Sequence, residues 1–261
     1  MARTVRTAII AEIGQNHNGD LGLARELIHT AKANGADAVK FQLYDAGRLF
    51  PREGNPWFAY NCKTQLSRHQ MEELMAISAR VGIECFASVF DVERVGWLES
   101  LGVQRYKVAS RSVRDAPLLA ALRETGKPLI VSLGCWDRSA FPEILTTAPV
   151  DFLYCVARYP TRIEDVHLHT VDFQRYAGFS DHTIGITAAS IALARGARII
   201  EKHFTLDVQL EGPDHAMSMT PNELGALHRV RTEIDQCLCA GNPSCAGAPL
   251  TSSVIVESTP A

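Results

Sequence analysis

TAIIAEIGQNHNGDLGLARELIHTAKANGADAVKFQLY (7–44) decides the fold. It opens on a nearly continuous apolar run, TAIIAEIG (7–14), and closes on a second, AVKFQLY (38–44). Unbroken runs of this kind read as strands buried on both faces, which belong to parallel sheets. Between them Leu23, Leu27, Ile28 and Ala31 recur at helical spacing, with Asp20 at the entry and Asn34-Gly35 as the stop. The stretch is one strand–helix–strand unit.

The same alternation repeats outward from it. Further apolar runs are ECFASVF (84–90), YKVAS (106–110), PLIVSLG (128–134), FLYCVAR (152–158), GFSDHT (178–183) and RIIEKHF (198–204). Helical patterns lie at 67–82, 92–102, 115–126, 187–196 and 220–235; Ser67 is a candidate N-cap, and Thr220-Pro221 places proline in a first turn. Eight strands alternating with helices predict an α/β protein, a closed (β/α)8 TIM barrel forming a single domain over residues 1–236. The structural rival is an open doubly wound sheet, but no G-x-G-x-x-G follows the first run. Residues 45–66 form a long, aromatic-containing connection of the kind that serves as a substrate loop. Residues 237–261, rich in Gly, Pro, Ser and Ala, read as a flexible tail.

Composition fits. A chain of 261 residues matches a barrel of about 250, and 46% hydrophobic content fills a large core. A net charge of −3 gives no basic footprint for nucleic acid. No apolar run approaches the roughly 18 residues of a membrane span. The seven cysteines are odd in number and form no C-x-x-C pair, so reduced thiols in a cytoplasmic protein are expected. Cys237, Cys239 and Cys245 cluster near the end without an obvious fourth zinc ligand.

Chemistry in a barrel sits at the C-terminal ends of the strands, and polar residues interrupt every apolar run there. They are Glu12; Lys40 and Gln42; Ser88; Lys107 and Ser110; Ser132; Arg158 and Tyr159; Ser180, Asp181 and His182; and Glu201, Lys202 and His203. Folding alone gives no reason to bury so many ionisable groups, each costly if unpaired. Lys40 and Lys107, with the hydroxyls of Ser88, Ser110, Ser132 and Ser180, make an expected anion site suited to a phosphate and a carboxylate together. Any one of these serines alone reads equally as a strand-end hydroxyl bonded to backbone. His182 and His203 end consecutive strands, so two imidazoles plus water or substrate oxygens would suit Mn²⁺, Mg²⁺ or Zn²⁺. The plain alternative is a pair of hydrogen-bonded core histidines. The other seven histidines, among them His29, His69 and His228, fall on helices or loops and read as surface. Glu12 precedes the loop GQNHNG (14–19) and reads either as a proton carrier or as the ion-pair partner of a barrel lysine.

These residues sit in strings that resemble the N-acetylneuraminate (sialic acid) synthase family: AEIGQNHNGD (11–20), AVKFQ (38–42), YKVAS (106–110), YPT (159–161), GFSDHT (178–183), EKHFT (201–205) and GPDHAMSM (212–219). One string alone is weak; the ordered set, running from about residue 7 to 235, is specific. The resemblance implies a (β/α)8 barrel that condenses phosphoenolpyruvate with an aldehyde acceptor, giving a 2-keto acid and phosphate. It implies a divalent metal, Mn²⁺ or Mg²⁺, on His182 and His203, and Glu12 as the acid near the reacting carbons. It implies phosphoenolpyruvate contacts from Lys40, Lys107, Ser110, Ser132 and Ser180, with Ser88 where the family usually has threonine. Gln42, Tyr159 and Asp214 match positions that touch the sugar, and a homodimer is expected by analogy.

Three departures stand out. The family's C-terminal antifreeze-like domain is expected to be absent. Ala157 stands where the family tends to have asparagine, followed by Arg158, and Arg111-Ser112 replaces a common Gly–acid pair. An unusual acceptor follows as an expectation, such as a sugar phosphate or a biosynthetic aldehyde of a specialised pathway, with Arg158 meeting its negative charge. The rival readings are a 3-deoxy-octulosonate or 3-deoxy-heptulosonate type of synthase, and a non-catalytic barrel that binds a phosphorylated ligand.

Overall fold

The computed structural model describes residues 7–238. Eight strands, β1 (Ala8–Gly14), β2 (Ala38–Leu43), β3 (Glu84–Val89), β4 (Tyr106–Val108), β5 (Leu129–Ser132), β6 (Val150–Cys155), β7 (Gly178–Asp181) and β8 (Ile199–His203), pair in parallel in chain order. β8 returns to β1, so the sheet closes into a barrel rather than remaining open. Closure explains the unbroken apolar runs: inward residues fill the barrel and outward ones meet the surrounding shell, so most strands are shielded on both faces, with β6 only partly buried. Ile10, Phe86, Ile130 and Ile199 line the lower interior together with Ala8 and the buried Arg105.

Six strands are followed by return helices: α1 (Leu21–Ala33) after β1, α4 (Arg68–Val81) after β2, α5 (Val92–Ser100) after β3, α6 (Ala116–Glu124) after β4, α7 (Thr187–Ala194) after β7 and α8 (Pro221–Leu238) after β8. Their starts follow the sequence. Asp20 accepts from Gly22 N and Leu23 N at α1, and Ser67 and Gln70 form a reciprocal capping box at α4. The 45–66 connection is more ordered than its sequence suggests, holding two short helices, α2 (Ala46–Leu49) and α3 (Phe58–Lys63).

Strict strand–helix alternation fails twice among the described residues. No α-helix follows β5, and only two 3-10 turns, Ile163–Asp165 and Leu168–Thr170, follow β6. The intervening segments carry Pro142, Pro149 and Pro160, which break helices. Aromatic packing covers this flank instead: Phe141 lies 4.8 Å from Phe152 and 4.7 Å from Tyr176, and Tyr154 stacks on Phe179 at 5.8 Å. α8 continues to Leu238, two residues into the expected tail; the rest of that tail, with Cys239 and Cys245, lies outside the described residues.

Candidate active site

Strand alternation and register turn one layer of polar side chains into the upper barrel. Glu12 is the register partner of Lys40 on one side and His203 on the other; Ser88 pairs with Lys107, and Ser180 with Glu201. Lys40 Nζ lies 2.7 Å from Glu12 Oε2 and 3.8 Å from Glu201 Oε2, and donates to Ser88 Oγ at 2.8 Å. Lys107 Nζ lies 3.4 Å from Glu201 Oε1 and donates to Ser132 Oγ at 2.7 Å. Ser180 donates to Glu201 Oε1 at 3.0 Å, and Gln42 Nε2 donates to Glu12 Oε1 at 2.9 Å. Two ammonium groups thus face two carboxylates inside a ring of hydroxyls, all in the buried wall of the barrel. Ser110 joins from the end of β4: it accepts from Gly134 N at 3.0 Å and donates to Cys155 Sγ at 3.5 Å.

The two carboxylates differ electrostatically. Burial raises the proton affinity of both. For Glu12 the nearby Glu201 adds to this, Lys40 only partly opposes it, and the carboxyl sits above the ordinary range. For Glu201 burial is outweighed by Lys107 and Lys40, and the carboxyl is held below its usual value. Burial also lowers Lys107, with Glu201 opposing and Lys40 adding to the shift. Glu12 is therefore the acid able to carry a proton, and Glu201 the fixed counter-charge to the lysines.

His182 and His203 face each other across the β7–β8 seam, with ring centroids 5.7 Å apart. Tyr159 covers them, 4.2 Å from the His182 ring and 6.4 Å from the His203 ring, while remaining 53% exposed at the rim. His182 Nδ1 lies 3.0 Å from the Val156 carbonyl; donation there leaves Nε2 with its lone pair. His203 Nδ1 is buried without a hydrogen-bond partner, and Asp214 Oδ2 lies 3.7 Å away. Burial lowers the pKa of both rings, and for His203 the neighbouring His182 lowers it further, which favours the neutral form that metals bind. Asp214, half-buried, is pushed up to about 7 by desolvation first and by the charge of Glu12 second. Among the described residues no three His, Cys, Asp or Glu side chains are grouped to hold a metal by themselves. The orphaned Nδ1 and two neutral imidazoles nevertheless fit a divalent cation that completes its shell with water or substrate oxygens.

Glu12, Lys40, Gln42, Ser88, Lys107, Ser110, Ser132, Tyr159, Ser180, His182, His203 and Asp214 therefore converge at one mouth. Arg158 does not join them. It lies beyond the end of β6, its side chain is 62% exposed, and it pairs with Asp165 rather than with any residue of the site. A role against a charged acceptor finds no support in that placement.

Glu201, the counter-charge to both lysines, is the residue that sequence reasoning left out of the site. In EKH (201–203) three polar residues are adjacent, and only strand alternation separates the inward Glu201 and His203 from the outward Lys202. The expectation that all remaining histidines lie at the surface is also corrected: His17 and His215 are fully buried. His215 bridges Asn18 Oδ1 at 3.0 Å and Thr205 Oγ1 at 2.7 Å, tying the β1 loop to the segment that carries Asp214.

These features define a class: an enzyme built on a (β/α)8 barrel, with its chemistry at the C-terminal mouth. The sequence model of the NeuB family matches residues 27–242, and the chain belongs to that family. The chain is 35% identical over 261 residues to an N,N'-diacetyllegionaminic acid synthase of Legionella pneumophila, covering 89% of this chain and 73% of the relative. It is 33% identical over 259 residues to the N-acetylneuraminate-9-phosphate synthase of Homo sapiens, covering 90% and 72%. A crystal structure of N-acetylneuraminic acid (sialic acid) synthetase from Leptospira borgpetersenii, in complex with citrate, superposes with a TM-score of 0.81 at 32% identity, covering 92% of this chain and 87% of the other.

Proposed function

We propose that this barrel joins phosphoenolpyruvate to the aldehyde of a sugar or sugar-like acceptor, giving a 2-keto acid and releasing phosphate. It is a carbon–carbon bond-forming transferase of the kind its relatives' names describe. Those names favour this reading over the 3-deoxy-octulosonate and 3-deoxy-heptulosonate rivals, and over a barrel that only binds a ligand. The observation that carries the reading is the pairing of Lys40 and Lys107 with Glu12 and Glu201 beside two imidazoles 5.7 Å apart.

Lys40 and Lys107 offset the charge of the phosphate and carboxylate, exchanging part of their pairing with Glu201 for the substrate. Ser88, Ser110, Ser132 and Ser180 supply neutral donors around the same anion. Glu12, held above the ordinary carboxylate range, orients the water that adds to the enol-derived carbon and takes its proton. Gln42, Tyr159 and Asp214 border the acceptor. His182 and His203 would hold a divalent cation, Mn²⁺ or Mg²⁺ by the family resemblance, which when bound polarises the aldehyde oxygen as a Lewis acid.

No helix of the described residues is long and apolar enough to cross a membrane. Cys62, Cys85, Cys135, Cys155 and Cys237 are free thiols, which supports a reducing, cytoplasmic setting. A homodimer remains the assembly expected from the resemblance.

The test is phosphate release from phosphoenolpyruvate with Mn²⁺ and a panel of acceptors: N-acetylmannosamine, diacetamido sugars and phosphorylated aldoses. Stoichiometric phosphate and 2-keto acid, dependent on both acceptor and metal, is the expected result. Acceptor-independent binding without turnover would leave only the ligand-binding barrel.

A further inference from the structure

We propose that Asp181 and Lys202 form a positioning bracket for a divalent cation on His182 and His203, acting through the two imidazoles they flank. The inference rests on the metal reading above. Each member is the immediate chain neighbour of one histidine, and the two are register partners on β7 and β8. Alternation turns both away from the barrel interior, behind the wall that carries the rings. Lys202 Nζ donates to Asp181 Oδ2 at 3.0 Å and also to the Thr183 carbonyl, while Asp181 Oδ1 accepts from Thr183 N at 2.8 Å. The bracket therefore ties the ends of two strands together and fixes the backbone on the far side of His182. Further bonds hold the same level: Thr161 N donates to the His182 carbonyl at 2.9 Å, and Met219 N to the His203 carbonyl at 2.7 Å.

Both side chains of the pair are 0% exposed. An ion pair stripped of all water gives little net stability, and apolar residues of similar volume often fold as well or better. What an apolar pair lacks is a set of directed bonds between two strands and the following turn. That matters here because two imidazoles supply only part of a cation's shell, so their spacing governs how well both bind at once. Groups that orient metal ligands from behind typically account for about 10–100-fold in affinity.

Calorimetric titration of Mn²⁺ into metal-stripped protein tests this, with urea unfolding as the control for folding. The D181L/K202M variant is expected to unfold cooperatively, at a urea midpoint lowered by the unpaired Thr183 N and carbonyl, yet to bind Mn²⁺ at least about tenfold more weakly while folded. Should that variant not fold, D181N/K202M decides: it retains an acceptor for Thr183 N but loses the link between the strands, and the same weakening is expected. Parental Mn²⁺ affinity in the folded variant overturns the bracket and leaves the metal site standing. A parent that does not bind Mn²⁺, or an H182A/H203A variant that binds it as the parent does, overturns the metal reading and this inference with it.

Discussion

Glu12 and Lys107 show how far single residues shape the site. Glu12 accepts from Gln42 and faces Lys40 at 2.7 Å, and its burial favours proton uptake. Glu12→Gln keeps the shape but cannot carry a proton. We expect kcat to fall by a factor on the order of 10²–10⁴, with KM for phosphoenolpyruvate changed only a few-fold; steady-state phosphate release measures both. A variant that loses KM but keeps kcat would make Glu12 a binding group instead. Lys107→Met should act differently. It removes one of the two ammonium groups facing Glu201 and leaves only Lys40, at 3.8 Å. A loss of about 3 kcal/mol in unfolding free energy is expected, because Lys40 and the Ser180 hydroxyl compensate the buried Glu201 carboxylate only in part. A fall in kcat/KM for phosphoenolpyruvate on the order of 10²–10³ should accompany it.

At the scale of elements, the seam between β7 and β8 carries the most chemistry in the least space. Gly178 opens β7, and a Cβ there would sit 1.9 Å from the Ile199 carbonyl oxygen. Gly178→Ala must therefore push the two strands apart. Destabilisation of about 3 kcal/mol is expected, read as a lowered urea midpoint, with Mn²⁺ binding weakened in whatever fraction folds. A variant with the parent's midpoint would show that the seam tolerates separation. The helices offer a milder contrast. Ser67→Ala removes one half of the capping box of α4 and touches none of the residues assigned to the site. It should cost about 1 kcal/mol of stability and leave kcat and KM unchanged.

For the whole molecule, acid stability follows from what the fold buries. His17 lies in the β1 loop, accepts from Gly19 N at 3.1 Å, and is held by burial at about 4, against an ordinary 6.5. Below 6.5 the unfolded chain takes up a proton that the folded chain refuses. The contribution of His17 is thus complete above about 6.5 and is lost as pH falls towards about 4. The loss amounts to about 3 kcal/mol. His215 is likewise lowered to about 4 by burial and titrates in the same window, so the comparison is with His17→Asn, whose side-chain oxygen can still accept from Gly19 N. The stability advantage of the parent over this variant should shrink by about 3 kcal/mol between about pH 7 and about pH 4. A constant difference in urea titrations at the two pH values would contradict the burial argument.

The sequence by itself determined the barrel and most of its mouth. A parallel strand buried on both faces must be apolar throughout, so its runs stand out, and a polar residue inside such a run is conspicuous because burial makes it costly. Glu12, Lys40, Lys107, His182 and His203 were legible for that reason. Only tertiary structure decided which polar neighbours share a face. Register placed Glu201 among the lysines and turned Lys202 outward to Asp181, a distinction that adjacent letters do not carry. Tertiary packing also buried His17 and His215, kept Arg158 at the surface with Asp165, and set an aromatic cluster over the flank of β6. Each of these depends on contacts between residues distant in the chain, and local pattern records only what a residue's own neighbours require.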